Sequence, residues 1–120
     1  MSWNDANAYC EWSGHRLPTE TEWEYGARGG LEQKRYPWGD DVLPQGNHMC
    51  NIWQGVFPDI NLAEDGYAAT APASAFSANG FGLFTMVGNV WEWCSDNFSS
   101  DLRRTEWTPT PLALTWALAA

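Results

Sequence analysis

The sequence predicts an α+β domain with little regular structure, and three observations predict it. Two short segments near the N-terminus carry helix start and stop residues. Beyond about residue 29 the chain turns rich in Gly, Pro, Asn and Asp, with aromatic residues at short, irregular intervals. Inside that stretch only two runs, 81–87 and 89–94, have strand-favouring bulk.

The first helix is expected to start at Ser2, whose hydroxyl can accept from the backbone near Asp5, and to stop at Gly14. Trp3, Ala6 and Cys10 recur at helical spacing and are expected to face a core. The second helix starts after Pro18, where Thr19 and Glu22 stand three apart as a capping box, and Gly29-Gly30 close it. Trp23 and Ala27, four apart, share a face. The irregular stretch that follows cannot hold its shape through backbone ladders alone, so it needs aromatic anchors, bound cations or both. From about Leu102 the character shifts again, through Pro109 and Pro111 to Ala120, and no recognisable site follows.

A chain of 120 residues is one domain or part of one. Six Lys and Arg against 15 Asp and Glu give a net charge of -9, which argues against a nucleic-acid or anionic-membrane partner. No apolar run approaches the roughly 20 residues of a membrane span, and no signal peptide is recognisable. The default expectation is therefore a cytoplasmic protein. Nine Trp, four Tyr and five Phe argue against disorder. Cys10, Cys50 and Cys94 are odd in number and widely spaced, so neither a disulfide framework nor a zinc site follows. His15 and His48 stand alone, with surface positions the default for both, and there is no Ser-His-Asp order, phosphate loop or H-E-x-x-H.

Several strings occur in order: Ser2-Trp3-Asn4-Asp5-Ala6, Arg16-Leu17-Pro18-Thr19-Glu20, Glu22-Trp23-Glu24-Tyr25, Tyr36-Pro37-Trp38-Gly39, Asn51-Ile52-Trp53-Gln54-Gly55, Glu64-Asp65-Gly66-Tyr67, Asn79-Gly80-Phe81-Gly82-Leu83 and Val87-Gly88-Asn89-Val90-Trp91-Glu92-Trp93. Over about residues 2 to 97 they resemble the formylglycine-generating enzyme (sulfatase-modifying factor) family. The strings at 51–55 and 64–67 point to the formylglycine branch rather than to the wider superfamily.

The resemblance implies a C-type lectin-like fold, here partial, with residues 1–101 its central part and residues 102–120 a divergent tail of the kind a frame-shifted end would give. It implies an oxidase that uses dioxygen and copper to turn a sulfatase cysteine, within a Cys-x-Pro-x-Arg motif, into formylglycine. In that family two cysteines near the C-terminal end, beside Gly-Gly-Ser, hold Cu(I), and thiolates suit that soft ion. No such pair or string occurs here, and the strand-rich stretch that precedes the Ser-Trp-Asn-Asp helix in the family is absent before Met1. The expectation is a domain truncated at both ends, without the copper cysteines and inactive alone. The alternative is a non-catalytic, calcium-stabilised lectin-like binding module or pseudoenzyme.

The resemblance also implies two structural calcium sites built from hard oxygen donors. The first comprises the Asn51 side chain, the Ile52 carbonyl, the Asp65 carboxylate and the Tyr67 carbonyl. A cation there would tie both ends of a loop that has little ladder of its own. The second comprises position 85, Gly88, Val90 and Glu92, where Thr85 replaces the family's Asn with a poorer donor. Trp91 resembles a tryptophan lining the client-peptide groove. Cys10 resembles a cysteine that forms a disulfide in members from oxidising compartments, whereas its helical spacing points to a buried thiol. Cys50 and Cys94 are expected to be small buried residues.

Overall fold

A computed structural model describes residues 1–97, so the tail expected at 102–120 lies outside the described residues. The described residues form two compact units, 1–24 with 92–97 and 25–91. Helix α1 spans Trp3–Trp12 and helix α2 Glu20–Arg28, and a short 3₁₀ turn follows at Pro44–Gly46.

In the first unit both helix starts are made as the sequence predicts. The Ser2 hydroxyl accepts from Asp5 N while the Asp5 carboxylate accepts from Ser2 N at 2.7 Å. That pairing, led by the Ser2 backbone N–H, holds the Asp5 carboxyl below its ordinary range. The helix stops through Gly14, at φ 79°, with His15 N donating to Cys10 O and Gly14 N to Glu11 O. This is the double bond of a Schellman end, which needs a left-handed residue at that point. α1 buries no residue, so the expected core face is corrected. Trp3 stays 37% exposed and Cys10 half-buried, because the indole N–H donates to the Cys94 carbonyl, which keeps the ring at the surface of the unit. Residues 92–96 are held by three further bonds, from Ser95 N to Pro18 O, Glu20 N to Asp96 Oδ2 and Trp23 Nε1 to Glu92 Oε2. Asp96 thereby puts an anion at the start of α2.

Thr19 and Glu22 form the reciprocal capping box at the start of α2. Glu22 also takes a forked pair of bonds from Arg16, at 2.6 and 2.7 Å. The Arg16 bond is the largest cause that lowers the Glu22 carboxyl from 4.5 to about 2. A depressed folded pKa means the stabilisation is complete above the ordinary carboxyl value and is lost as pH falls through the folded one. Stability measured by urea unfolding of the parent chain is therefore expected to fall between about pH 4.5 and 2, and Glu22→Gln to flatten that loss.

In the second unit Gly29 and Gly30 end α2 with φ of 57° and 86°. Asn79 caps the helix from a distance, donating to Gly26 O at 2.7 Å and Ala27 O at 3.3 Å, while its Oδ1 accepts from Phe81 N and Leu83 N. Ala27, Cys50, Ala71, Leu83 and Met86 form a thin core. The aromatic residues act in pairs, Tyr25 with Phe81, Tyr36 with Trp38, Trp53 with Phe57 and Tyr67 with Phe76, at centroid distances of 5.2 to 6.0 Å.

The strands expected at 81–87 and 89–94 are not formed, and among the described residues the sole ladder contact is one bridge between Tyr36 and Gly39. The backbone supplies the reason. Gly82, Thr85, Gly88 and Asn89 all have φ between 52° and 78°, which breaks any extended run every few residues. No helix among the described residues is long and apolar enough to cross a membrane.

Candidate functional site

The 51–67 loop doubles back on itself. Gly55, at φ 115°, lets the chain pass against Ile60, after which Ile60 N bonds to Val56 O and Leu62 N to Gln54 O. Asn61 Oδ1 accepts from Gln54 N and Ala63 N and fixes the return. The return carries Asp65 back to Ile52.

Asp65 is the centre of the loop. Its Oδ2 accepts from Ile52 N at 2.9 Å and Gln54 Nε2 at 2.8 Å, and its Oδ1 from Tyr67 N at 2.9 Å. Burial pushes this carboxyl up, but the bonds from Gln54, Tyr67 and Ile52, with the charge of His48, prevail and hold it below its ordinary value. It is therefore a carboxylate at neutral pH. The structure thus joins three of the four residues of the first calcium set, Ile52, Asp65 and Tyr67.

Asn51 is next to them in the chain and only 7% exposed. Its Nδ2 donates to Ala69 O and to Asn89 Oδ1, and its Oδ1 takes no hydrogen bond among the described residues. Asn89 completes this hub, with Oδ1 also accepting from Ala71 N, Nδ2 donating to Ala71 O, and its own N–H donating to Asn51 O.

Among the described residues no three His, Cys, Asp or Glu side chains converge as metal ligands. The 51–67 loop instead gathers the Asp65 carboxylate with carbonyl and amide oxygens, and among the described residues Gln54 Oε1 is buried there without a hydrogen-bond partner. An all-oxygen set with an orphaned acceptor fits a hard cation such as calcium. It does not fit copper. Cys50 is buried while Cys10 and Cys94 are half-buried, so Cys10 and Cys94 are corrected from the expected full burial. Burial first, then Asp65, pushes the Cys50 thiol up, and burial first, then Asp96, Glu20 and Glu92, pushes up Cys94. Both shifts disfavour the thiolate that Cu(I) requires.

The second set is divided. Thr85, Gly88 and Val90 lie in one unit and Glu92 in the other. The Thr85 hydroxyl donates to Ala73 O, and Glu92 accepts from Trp23. Trp91 is fully exposed. His15 is exposed as expected, whereas His48 is half-buried near Asp65.

Gln54, Asn61 and Asn89 are the residues that the sequence left without a role. Gln54 stands in the same string as Asn51 and Ile52, and Asn89 follows Gly88 in a dipeptide that itself favours left-handed turns.

Residues 1–111 match the family model described as Sulfatase-modifying factor enzyme 1-like domain. The chain is 60% identical over 106 residues to the formylglycine-generating enzyme of Thermomonospora curvata, covering 88% of this chain and 35% of that protein. It is 60% identical over 96 residues to the formylglycine-generating enzyme of Mus musculus, covering 80% and 26%. It is 47% identical over 117 residues to the inactive C-alpha-formylglycine-generating enzyme 2 of Bos taurus, covering 92% and 38%. The chain thus spans about a third of the length of the curated relatives it matches. With the family match reaching from residue 1 to residue 111, the chain belongs to the sulfatase-modifying factor (formylglycine-generating enzyme) family.

Proposed function

We propose that this chain carries the central, calcium-stabilised part of a formylglycine-generating oxidoreductase domain of C-type lectin-like fold. The observation that supports it is 60% identity to formylglycine-generating enzymes across the segment that contains the 51–67 loop. In this reading calcium is structural, held by Asn51, Ile52, Asp65 and Tyr67, and the partner is a sulfatase polypeptide with a Cys-x-Pro-x-Arg motif. Copper and dioxygen supply the oxidation of the client cysteine. Because none of the described thiols fits Cu(I), the described residues provide scaffold and client surface rather than the oxidising centre.

The test is mass spectrometry of a Cys-x-Pro-x-Arg peptide incubated with copper, dioxygen and the 120-residue chain. The expected result is unchanged peptide. Conversion of thiol to aldehyde that depends on Cys10, Cys50 or Cys94 would overturn the assignment.

Trp91 belongs to the client surface in this reading, and its full exposure makes the test clean. Trp91→Ala is expected to weaken capture of the peptide by roughly tenfold or more, the scale of a lost aromatic anchor, while leaving the unfolding midpoint unchanged. Fluorescence titration with a labelled peptide measures this. Equal affinity would remove Trp91 from the groove.

The 47% identity to an inactive relative favours one second reading, a non-catalytic module that binds its client. Peptide binding without conversion by a protein that spans the relatives' full length would select it.

A further inference from the structure

The amide of Gln54 sits at one point between two of the oxygens assigned above. Its Nε2 donates to Ile52 O at 2.6 Å and to Asp65 Oδ2 at 2.8 Å, and its Oε1 is buried without a partner among the described residues. Hydrogen bonding fixes this orientation. Turned over, the amide would set an oxygen against two acceptors and leave its two N–H groups facing nothing. The N–H groups carry partial positive charge, and their distances to the two oxygens are only slightly longer than the 2.3 to 2.6 Å that calcium keeps to its ligands. A neutral donor is doing there what a cation would do.

A cation cannot share that point with the N–H groups. The amide has two ways to leave it: the side chain swings clear, or it makes a half-turn about its last bond. The half-turn places Oε1 beside Ile52 O and Asp65 Oδ2; Oε1 has no hydrogen bond to lose when it moves, but the N–H groups take its unpartnered place, a cost that the cation's bonds to the oxygens must exceed. The two bonds broken at Nε2 free two oxygens that the cation then takes. Three oxygens this close together repel one another, so the turned state requires the cation and the unturned state excludes it.

We propose that Gln54 is both the built-in occupant and an additional protein ligand of the 51–67 cation site, closing the loop through its N–H groups in the absence of calcium and turning Oε1 onto calcium when the ion binds. The proposal rests on the reading of that loop as a calcium site. It extends the ligand set from four residues to five, and it makes loop closure persist across both states.

Calorimetric titration of calcium chloride into the chain, with Asp65→Ala and Gln54→Met beside it, separates the two readings. Met keeps the length of Gln and removes both the N–H groups and the oxygen. The expected result is calcium binding by the parent, none by Asp65→Ala, and roughly tenfold or weaker affinity for Gln54→Met, the effect of losing one well-placed oxygen. Equal or tighter binding by Gln54→Met would overturn the proposal while leaving the calcium site standing, because an occupant that merely swings clear competes with the ion. No binding by the parent would overturn the calcium reading itself and this inference with it. Gln54→Glu, which presents oxygens only, is expected to melt lower than the parent without calcium and to bind calcium more tightly. The parent alone gives an independent readout, since the Gln54 side-chain N–H resonances should shift during calcium titration in proportion to saturation. Resonances that stay fixed through saturation would overturn the half-turn even if every substituted chain failed to fold.

Discussion

Asp65→Ala is expected to abolish the calcium-dependent rise in unfolding temperature. The substitution removes the Asp65 carboxylate from the first-set oxygens, leaves Ile52 N and Tyr67 N without their acceptor and leaves Gln54 Nε2 with Ile52 O alone. A ligand that binds only the folded chain stabilises it by about 2.7 kcal/mol at one hundred times its dissociation constant, and that whole increment is the loss expected at such a calcium concentration. Calcium-free chain should also weaken, by about 1 to 2 kcal/mol, because hydrogen bonds to a charged acceptor disappear at a half-buried position. The same logic fixes the pH dependence. With the folded pKa depressed, Asp65 stabilises the loop fully above the ordinary carboxyl value of 3.8 and ceases to as acid titrates it, and calcium protection should fade in the same direction. Scanning calorimetry with and without calcium checks both parts, and a calcium-dependent rise that survives in Asp65→Ala would remove Asp65 from the site.

Gly88→Ala is expected to be the most damaging single methyl in the second unit. Gly88 has φ 76°, and a Cβ built there falls far inside van der Waals contact of the Asn51 carbonyl oxygen, which is backbone and cannot step aside. Left-handed strain and forced displacement each cost roughly 1 to 3 kcal/mol, so a combined loss of about 2 to 6 kcal/mol is expected. The displacement acts on the Asn51–Asn89 bonds directly, since Asn89 N donates to that same carbonyl. Gly66→Ala provides the comparison, because Gly66 has φ 96° but meets no atom within 4 Å and should lose only the strain component. Urea unfolding that ranks the two equally would show that the chain passes Asn51 less closely than described.

What was legible in the sequence follows the range of the interactions. The caps at Ser2 with Asp5 and at Thr19 with Glu22 are contacts three residues apart, set by residue type alone, and they are formed as expected. The Gly29-Gly30 stop is equally local. Strand bulk at 81–87 and 89–94 misled because β preference records fit to a neighbouring strand, and here Thr85 and Asn89 turn left-handed while Asn79 and Asn89 satisfy distant backbone groups through their side chains. The core face expected for α1 missed the indole bond from Trp3 to Cys94, 91 residues away.

The candidate site divides in the same way. Asn51, Ile52, Asp65 and Tyr67 were reached through resemblance, since spacing alone favours ordinary turn bonding at Asn51 and Asp65. Gln54 was invisible because its role depends on two acceptors, one of them eleven residues distant, meeting at a single nitrogen. No periodicity encodes that.

A 51–67 loop built around a cation should show itself in isothermal calorimetry of calcium titrated into the folded 120-residue chain. The expected result is saturable calcium binding that disappears in Asp65→Ala. A folded chain that takes up no calcium, or an Asp65→Ala chain that takes it up as tightly as the parent, would contradict it and leave the loop held by its amides and aromatic pairs alone.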